Sequence, residues 1–279
     1  MAETTVDTTA VITAARAVGD MALARWRGEG GTYRVWDKVP GHPVSDIDLA
    51  ADHALRDYLG KIAPEAGWLS EETADSPERL ACDSIWCDDP IDGTRDFVRG
   101  REGWAVSIAL IRGGSPQLGV LHAPCRGGLW VAERGKGATC NGQNLRVAPR
   151  ETLAGSRVTA DSLEKPDSDL AMVAKPNSIA LRVAMVAGGE ADLVATLRWG
   201  YEWDVAAAAL IASEAGAVIS DAFGAPLAFN KRDPQAFGLL ATAPGIHSAA
   251  VERLADRAER LAPRRRSPIA TVDSKPDSQ

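Results

Sequence analysis

The chain has 279 residues, 45% of them hydrophobic and 25% charged, the composition of an ordinary globular protein able to bury a large core. A formal net charge of −7 argues against general binding to nucleic-acid polymers or membrane surfaces, while leaving room for a local basic pocket that takes a small phosphate ester. The four cysteines, Cys82, Cys87, Cys125 and Cys140, form no CxxC pair and fit a reduced cytoplasmic setting; no signal peptide and no run of membrane-spanning length is expected.

In chain order, a first helix is expected with Thr8 or Thr9 as its cap and Val11, Ala15, Val18, Ala22 and Trp26 on one face, ended by Gly28-Glu29-Gly30-Gly31. Tyr33–Trp36 is strand-like. Asp37–Val44, interrupted by Pro40, Gly41 and Pro43, reads as a loop with Lys38 near its middle. Ser45-Asp46-Ile47-Asp48 approximates a capping box, and Ile47, Ala51, Leu55, Tyr58 and Ile62 form the buried stripe of the helix that follows. An acid at the position of Asp48 ordinarily stabilises a first turn through the helix dipole. Trp68–Ser70 is a short apolar step that leads into Glu71-Glu72, so one of these acids could stand at a strand end.

Ser84–Cys87 reads as a buried strand running into Asp89-Pro90-Ile91-Asp92-Gly93-Thr94. Two carboxylates flank a stiff Pro-Ile pair, Gly93 permits backbone angles other residues avoid, and Thr94–Phe97 could open a helix. Carboxylate oxygens suit Mg²⁺ and helix-start amides suit phosphate, so the hexapeptide points to metal-assisted phosphate chemistry. Asp-Gly is also a common turn dipeptide, and the hexapeptide alone leaves both readings open.

Trp104–Ile111, Gln117–Ala123 and Gly128–Ala132 follow as strands, and Gly135–Gly142 as a glycine-rich hairpin. Residues 1–150 thus read as helices followed by antiparallel strands. From Arg157 strands and helices alternate: Arg157–Ala160, Ser178–Ala187 (helix), Ala191–Leu197, Val205–Ala215 (helix), Ala217–Ser220, Gly238–Thr242 and the amphipathic helix Ser248–Leu261. Residues 151–263 are expected to complete the site, and 264–279 to be a disordered tail. Asp204 stands between Trp203 and an apolar run, where a carboxylate is either a helix cap or a buried acid that needs a partner such as a cation. Glu71, Asp89, Asp92 and Asp204 are four acids at element ends. Clustered carboxylates repel unless a cation neutralises them. His42, His53, His122 and His247 carry no such pattern.

The same residues carry a resemblance. Pro43-Val44-Ser45 with Asp48, Ser70-Glu71-Glu72, the hexapeptide, the run Ser178–Asp192, and Trp203-Asp204 occur in the order found in the inositol monophosphatase superfamily of Mg²⁺-dependent, lithium-sensitive phosphatases, and the likeness spans roughly residues 8–260. The resemblance implies an α/β fold layered α-β-α-β-α. It implies two Mg²⁺ ions, the first on Glu71, Asp89 and the Ile91 carbonyl, the second on Asp89, Asp92 and Asp204, with a third, weaker ion on Glu71 and Asp48. Gly93 and Thr94 amides would hold the phosphate, and Thr94 with Glu71 would orient the attacking water; a homodimer is compatible with the family.

The substrate is less determined. Inositol monophosphatases place an acid that contacts ring hydroxyls where this chain has Leu197, whereas Glu202-Trp203-Asp204 and Asp92–Phe97 look more like bacterial 3′(2′),5′-bisphosphate nucleotidases. The expected reaction is therefore 3′-phosphoadenosine 5′-phosphate to AMP, with Ser178, Arg182, Arg198 and Lys175 near the substrate and the bases as candidates for its second phosphate. Inositol 1-phosphate, histidinol phosphate and fructose 1,6-bisphosphate are the alternatives, and a metal or phosphate sensor is the non-enzymatic one.

Overall fold

The structure, a computed structural model, describes residues 6–26 and 33–262. The expected helix stop at Gly28–Gly31 and the tail at 264–279 lie outside the described residues. The elements are α1 (Thr8–Trp26), β1 (Val35–Val39), β2 (His42–Ser45), α2 (Asp46–Ile62), β3 (Gly67–Ser70), β4 (Ser84–Asp92), α3 (Thr94–Val98), β5 (Ala105–Arg112), β6 (Ser115–Ala123), β7 (Gly128–Glu133), β8 (Ala138–Cys140), β9 (Gln143–Asn144), β10 (Arg157–Thr159), β11 (Ala171–Val173), α4 (Ile179–Ala187), β12 (Leu193–Tyr201), α5 (Ala206–Glu214), β13 (Val218–Ser220), β14 (Gln235–Thr242) and α6 (His247–Leu261).

Strands β3 to β9 form one seven-stranded sheet in sequence order, antiparallel except for the parallel β3–β4 edge. The second sheet has five strands in the order β11-β10-β12-β14-β13, parallel across β11-β10-β12 and antiparallel beyond. Helices α1 and α2 cover one face of the large sheet, where Val11, Val18, Leu55 and Leu59 meet Trp86, Val106, Ile108 and Val120. Helices α4 and α5 fill the space between the sheets. Every residue of α4 is buried, as expected of a helix covered on both sides and apolar apart from Arg182. The alanines of α5 let it approach β6 so closely that a Cβ on Gly119 would meet the Ala207 carbonyl at 2.7 Å. Helix α6 closes the far face of the small sheet, with Ala250 and Leu254 on Leu193 and Leu240. The order helices, sheet, helices, sheet, helix is the expected α-β-α-β-α layering.

Several local expectations change. The Thr9 amide donates to Asp7 Oδ1 at 2.9 Å, so Asp7 rather than a threonine satisfies the start of α1. The stretch Asp37–Val44 is not a loop but most of a β1–β2 hairpin, with Asp37 registered on Pro43. Proline is tolerated there because a two-stranded sheet has two free edges. β12 runs on to Tyr201 past an irregularity between Thr196 and Trp199. α5 begins at Ala206, so Asp204 lies in the turn before it and is not its cap: Asp204 Oδ2 accepts the Tyr201 amide at 2.9 Å. Among the described residues no helix is long and apolar enough to cross a membrane.

Candidate active site

The fold brings three strand ends to one place. Glu71 follows β3, Asp89 lies near the end of β4, and Asp204 follows β12 of the other sheet. One carboxylate oxygen from each lies within 4.8 Å of the other two. They form the floor of a cavity of about 300 Å³ that is also lined by Asp92, Gly93, Thr94, Arg198, Trp199, Tyr201 and Trp203. Burial raises Asp89 well above the usual carboxylate range, and the charges of Glu71, Asp92 and Asp204 push the same way. Burial and then Glu71 and Asp92 raise Asp204 to about 8. Glu71 is also penalised by burial, but Lys38 more than offsets this and holds it low. Three hard oxygen donors converge with mutual repulsion, and a divalent cation fits that donor set.

Asp92 sits differently from the other three acids. Its carboxylate accepts the Ser178 hydroxyl at 2.5 Å and the amides of Ala180 at 2.7 Å and Ile179 at 3.3 Å, tying β4 to the start of α4. Burial still lifts it to about 6. Its oxygens retain lone pairs for an ion on the cavity side. Gly93, between Asp92 and α3, has φ +99°, and a Cβ there would meet the Gly103 carbonyl at 2.5 Å and the Ser178 amide at 2.9 Å. Only glycine fits both constraints.

Behind the triad, Thr94 Oγ1 lies 2.9 Å from Asp48 Oδ1 and 3.1 Å from the Ile91 carbonyl. Asp48 Oδ2 accepts the Ser45 amide at 2.8 Å and hydroxyl at 2.5 Å, and the reciprocal Ser45 bonds complete the capping box of α2. Asp48 therefore caps a helix and holds Thr94 at once. Burial raises it to about 6, with the Ser45 and Thr94 hydrogen bonds opposing.

Three residues expected near substrate are committed elsewhere. Ser178 is fully buried on Asp92 and caps α4 through the Leu181 amide. Arg182 is 4% exposed and donates to the Pro176 carbonyl at 2.7 Å and the Asn177 carbonyl at 2.6 Å, so it fastens the segment before α4 and does not line the cavity. Lys175 pairs with Asp161. Arg198, in contrast, lines the cavity. Leu197 turns to the opposite side and packs near α6. Glu202 does not line the cavity either; its carboxylate accepts the amides of Asn230 and Lys231.

Sequence reasoning missed other parts of the site. Lys38 Nζ, from the hairpin, is 3.0 Å from Glu71 Oε1 and 2.6 Å from Glu72 Oε1, so a buried ammonium is clasped by the acidic pair. A single base in a loop that precedes two adjacent acids was the available signal. His42, Arg95 and Asn177 also line the cavity. Tyr201 and Trp203 contribute an aromatic wall, their rings stacked at 4.4 Å with 4° between their planes, while Trp199 borders the cavity with its ring on Phe237 at 5.6 Å. Asp88, one residue from Asp89, faces the other side of the sheet and, among the described residues, has no hydrogen-bond partner of good geometry for either oxygen.

Comparison with known proteins gives a consistent picture. The family described as "Inositol monophosphatase family" matches residues 3–261. The "Fructose-1,6-bisphosphatase/inositol-1-monophosphatase" of Thermotoga maritima is 32% identical over 219 residues, 75% of this chain and 82% of that protein. A "3′(2′),5′-bisphosphate nucleotidase CysQ" of Aggregatibacter actinomycetemcomitans is 32% identical over 210 residues, covering 70% and 78%, and a "Nus factor SuhB" of Xylella fastidiosa is 35% identical over 231 residues, covering 77% and 82%. Among solved structures, a Thermotoga maritima IMPase superposes with a TM-score of 0.77 at 28% identity, covering 90% of this chain and 97% of that one.

Proposed function

The chain belongs to the inositol monophosphatase family, a family of Mg²⁺-dependent phosphatases, and on that premise we propose that this member removes the 3′-phosphate of a nucleoside 3′,5′-bisphosphate, with 3′-phosphoadenosine 5′-phosphate giving AMP. The observation that carries this substrate class is the inner face of β12. Arg198 and the stacked aromatic pair Tyr201 and Trp203 line the cavity at its end, and Leu197 turns away from it. A guanidinium suits a second phosphate and aromatic rings suit a base, whereas a polyol ring would be met by a hydrogen-bonding acid.

Glu71, Asp89, Asp92 and Asp204, with the Ile91 carbonyl, are the groups that would hold Mg²⁺. Bound there, Mg²⁺ supplies neutralisation of phosphate charge and a lowered pKa for an attacking water. The chain's own residues do the rest. Asp48, largely ionised at neutral pH with a pKa raised to about 6, accepts the Thr94 O–H. That leaves a Thr94 lone pair to take a proton from the attacking water as Thr94 passes its own proton to Asp48. The water oxygen bonds to phosphorus, the ester P–O bond breaks, and the leaving alkoxide is protonated by solvent. Phosphoryl transfer requires little covalent help beyond this positioning.

The test is phosphate release from 3′-phosphoadenosine 5′-phosphate, inositol 1-phosphate, histidinol phosphate and fructose 1,6-bisphosphate, each with Mg²⁺ and with EDTA. A Mg²⁺-dependent preference for the nucleotide is expected. Preference for inositol 1-phosphate or histidinol phosphate would overturn the substrate class, and no release from any ester would favour a metal or phosphate sensor.

A further inference from the structure

Two buried, oppositely charged side chains with no place in the chemistry grip one short segment from both sides. Glu202 and Arg79 are each 2% exposed. Glu202 Oε2 accepts the Asn230 amide at 2.6 Å, and Oε1 accepts the Lys231 amide at 3.1 Å. Arg79 donates through Nη1 to Asn230 Oδ1 at 2.5 Å and through Nη2 to the Lys231 carbonyl at 2.8 Å. Asn230 has φ +57°, a left-handed turn that presents its amide and side chain to these two partners. Arg79 is in turn held by both oxygens of Asp75, at 2.6 and 2.9 Å.

This clamp fixes both flanks of the ion site. Glu202 opens the turn that carries Asp204, and its own amide donates to the Pro234 carbonyl at 2.9 Å. Arg79 and Asp75 belong to the segment that follows Glu71 along the chain. Asp204 must stand within 4.8 Å of two other carboxyl groups for one cation to meet all three, so its turn has to hold that approach before the cation arrives. A turn free to yield would relax, and each binding event would then have to re-form it. We infer that Glu202 and Arg79 are positioning residues for Asp204: the clamp across Asn230–Lys231 holds the turn in its cation-binding geometry. The inference rests on the reading of Asp204 as an ion ligand.

The test is Mn²⁺ binding, followed by electron paramagnetic resonance of the free ion, together with Tm and the split between KM and kcat. Glu202→Gln keeps the size of the side chain but replaces one acceptor oxygen by a donor that faces an amide. It is expected to weaken the Mn²⁺ site that includes Asp204 about tenfold, the lower end of losses seen when groups supporting a ligand are changed. Any Mn²⁺ bound without Asp204 is expected to change little. Arg79→Lys, which keeps the charge but loses the fork, is a milder second variant and covers the case in which Glu202→Gln does not fold. In an Asp204→Asn background, Glu202→Gln is expected to leave Mn²⁺ affinity unchanged. If Asp204→Asn alone leaves Mn²⁺ binding intact, the ligand reading fails and the clamp's role with it. If Asp204→Asn weakens binding while the folded clamp variants lower only Tm, the clamp inference is overturned and the ligand reading stands.

Discussion

Asp88→Val is expected to stabilise the protein. Asp88 is fully buried on β4, registered between Ser70 of β3 and Ile108 of β5, and among the described residues neither carboxyl oxygen has a hydrogen-bond partner of good geometry. The adjacent Ser70 hydroxyl partly opposes its pKa rise but donates to Asp52. The nearby Asp52 is satisfied separately, by the hydroxyls of Ser70 at 2.6 Å and Thr73 at 2.7 Å. Burial, then the Asp52 charge, push the Asp88 carboxyl well above its ordinary range. An orphaned buried polar group costs about 1–3 kcal/mol, and valine suits the strand, so a gain of about 2 kcal/mol follows. At about 2–4 °C per kcal/mol for a chain of this size, Tm rises by about 4–8 °C. The pH dependence separates this cause from better packing. In the unfolded chain Asp88 loses its proton near pH ~3.9, whereas the native chain keeps it to higher pH. Above that value the native state binds more protons than the unfolded one, so wild-type stability falls as pH rises, by up to about 1.4 kcal/mol per unit for this one group. The variant lacks that fall, and its advantage grows with pH until the native group ionises. Urea unfolding in EDTA at pH 5 and pH 7 reads both quantities. A variant less stable than wild type, or an advantage that does not grow between the two pH values, would refute the reasoning.

Other outcomes follow from the site. In metal-free protein the native carboxyls of Asp92 and Asp204 titrate at about 6 and about 8, above their unfolded values, so stability is expected to fall as pH rises through that window; Mg²⁺ affinity is expected to rise over the same range, and saturating Mg²⁺ to abolish the fall, as calorimetry with and without EDTA would read. Asp48→Asn, which cannot take the Thr94 proton, is expected to lower kcat by about 10²–10⁴ with little change in KM, and a kcat within threefold of wild type would remove Asp48 from the proton path. Arg198→Ala is expected to raise KM for a nucleoside bisphosphate by about tenfold or more, the value of a hydrogen bond to a charged group, while leaving a simple phosphate monoester unaffected in the same assay.

Most of the layering was legible because α1, α2 and the strands of the large sheet each bury one patterned face, and α4 and α5 announce themselves by being apolar almost all round. The acids were legible because Glu71, Asp89 and Asp204 each follow an apolar strand pattern. What escaped was set by tertiary partners that leave no local mark. Two prolines made the β1–β2 hairpin look like a loop, since nothing local says that its edges are free. Arg182 was read as facing substrate because a charged residue near a motif suggests a ligand; it instead satisfies backbone carbonyls in the interior. Asp88 was passed over although strand alternation alone places it on the face opposite Asp89.

The carboxylate triad joins parts of the chain that are otherwise held together by side-chain packing and a few scattered hydrogen bonds, such as those of Arg79 and Asp92. Glu71 and Asp89 belong to the large sheet, and Asp204 follows a strand of the small one. An ion on all three is therefore a rivet between two sheets that share no backbone ladder. In hydrogen exchange, amides of β12 and β14 would gain protection with the ion, while those in the interior of the large sheet, already limited by global unfolding, would gain only what the whole molecule gains.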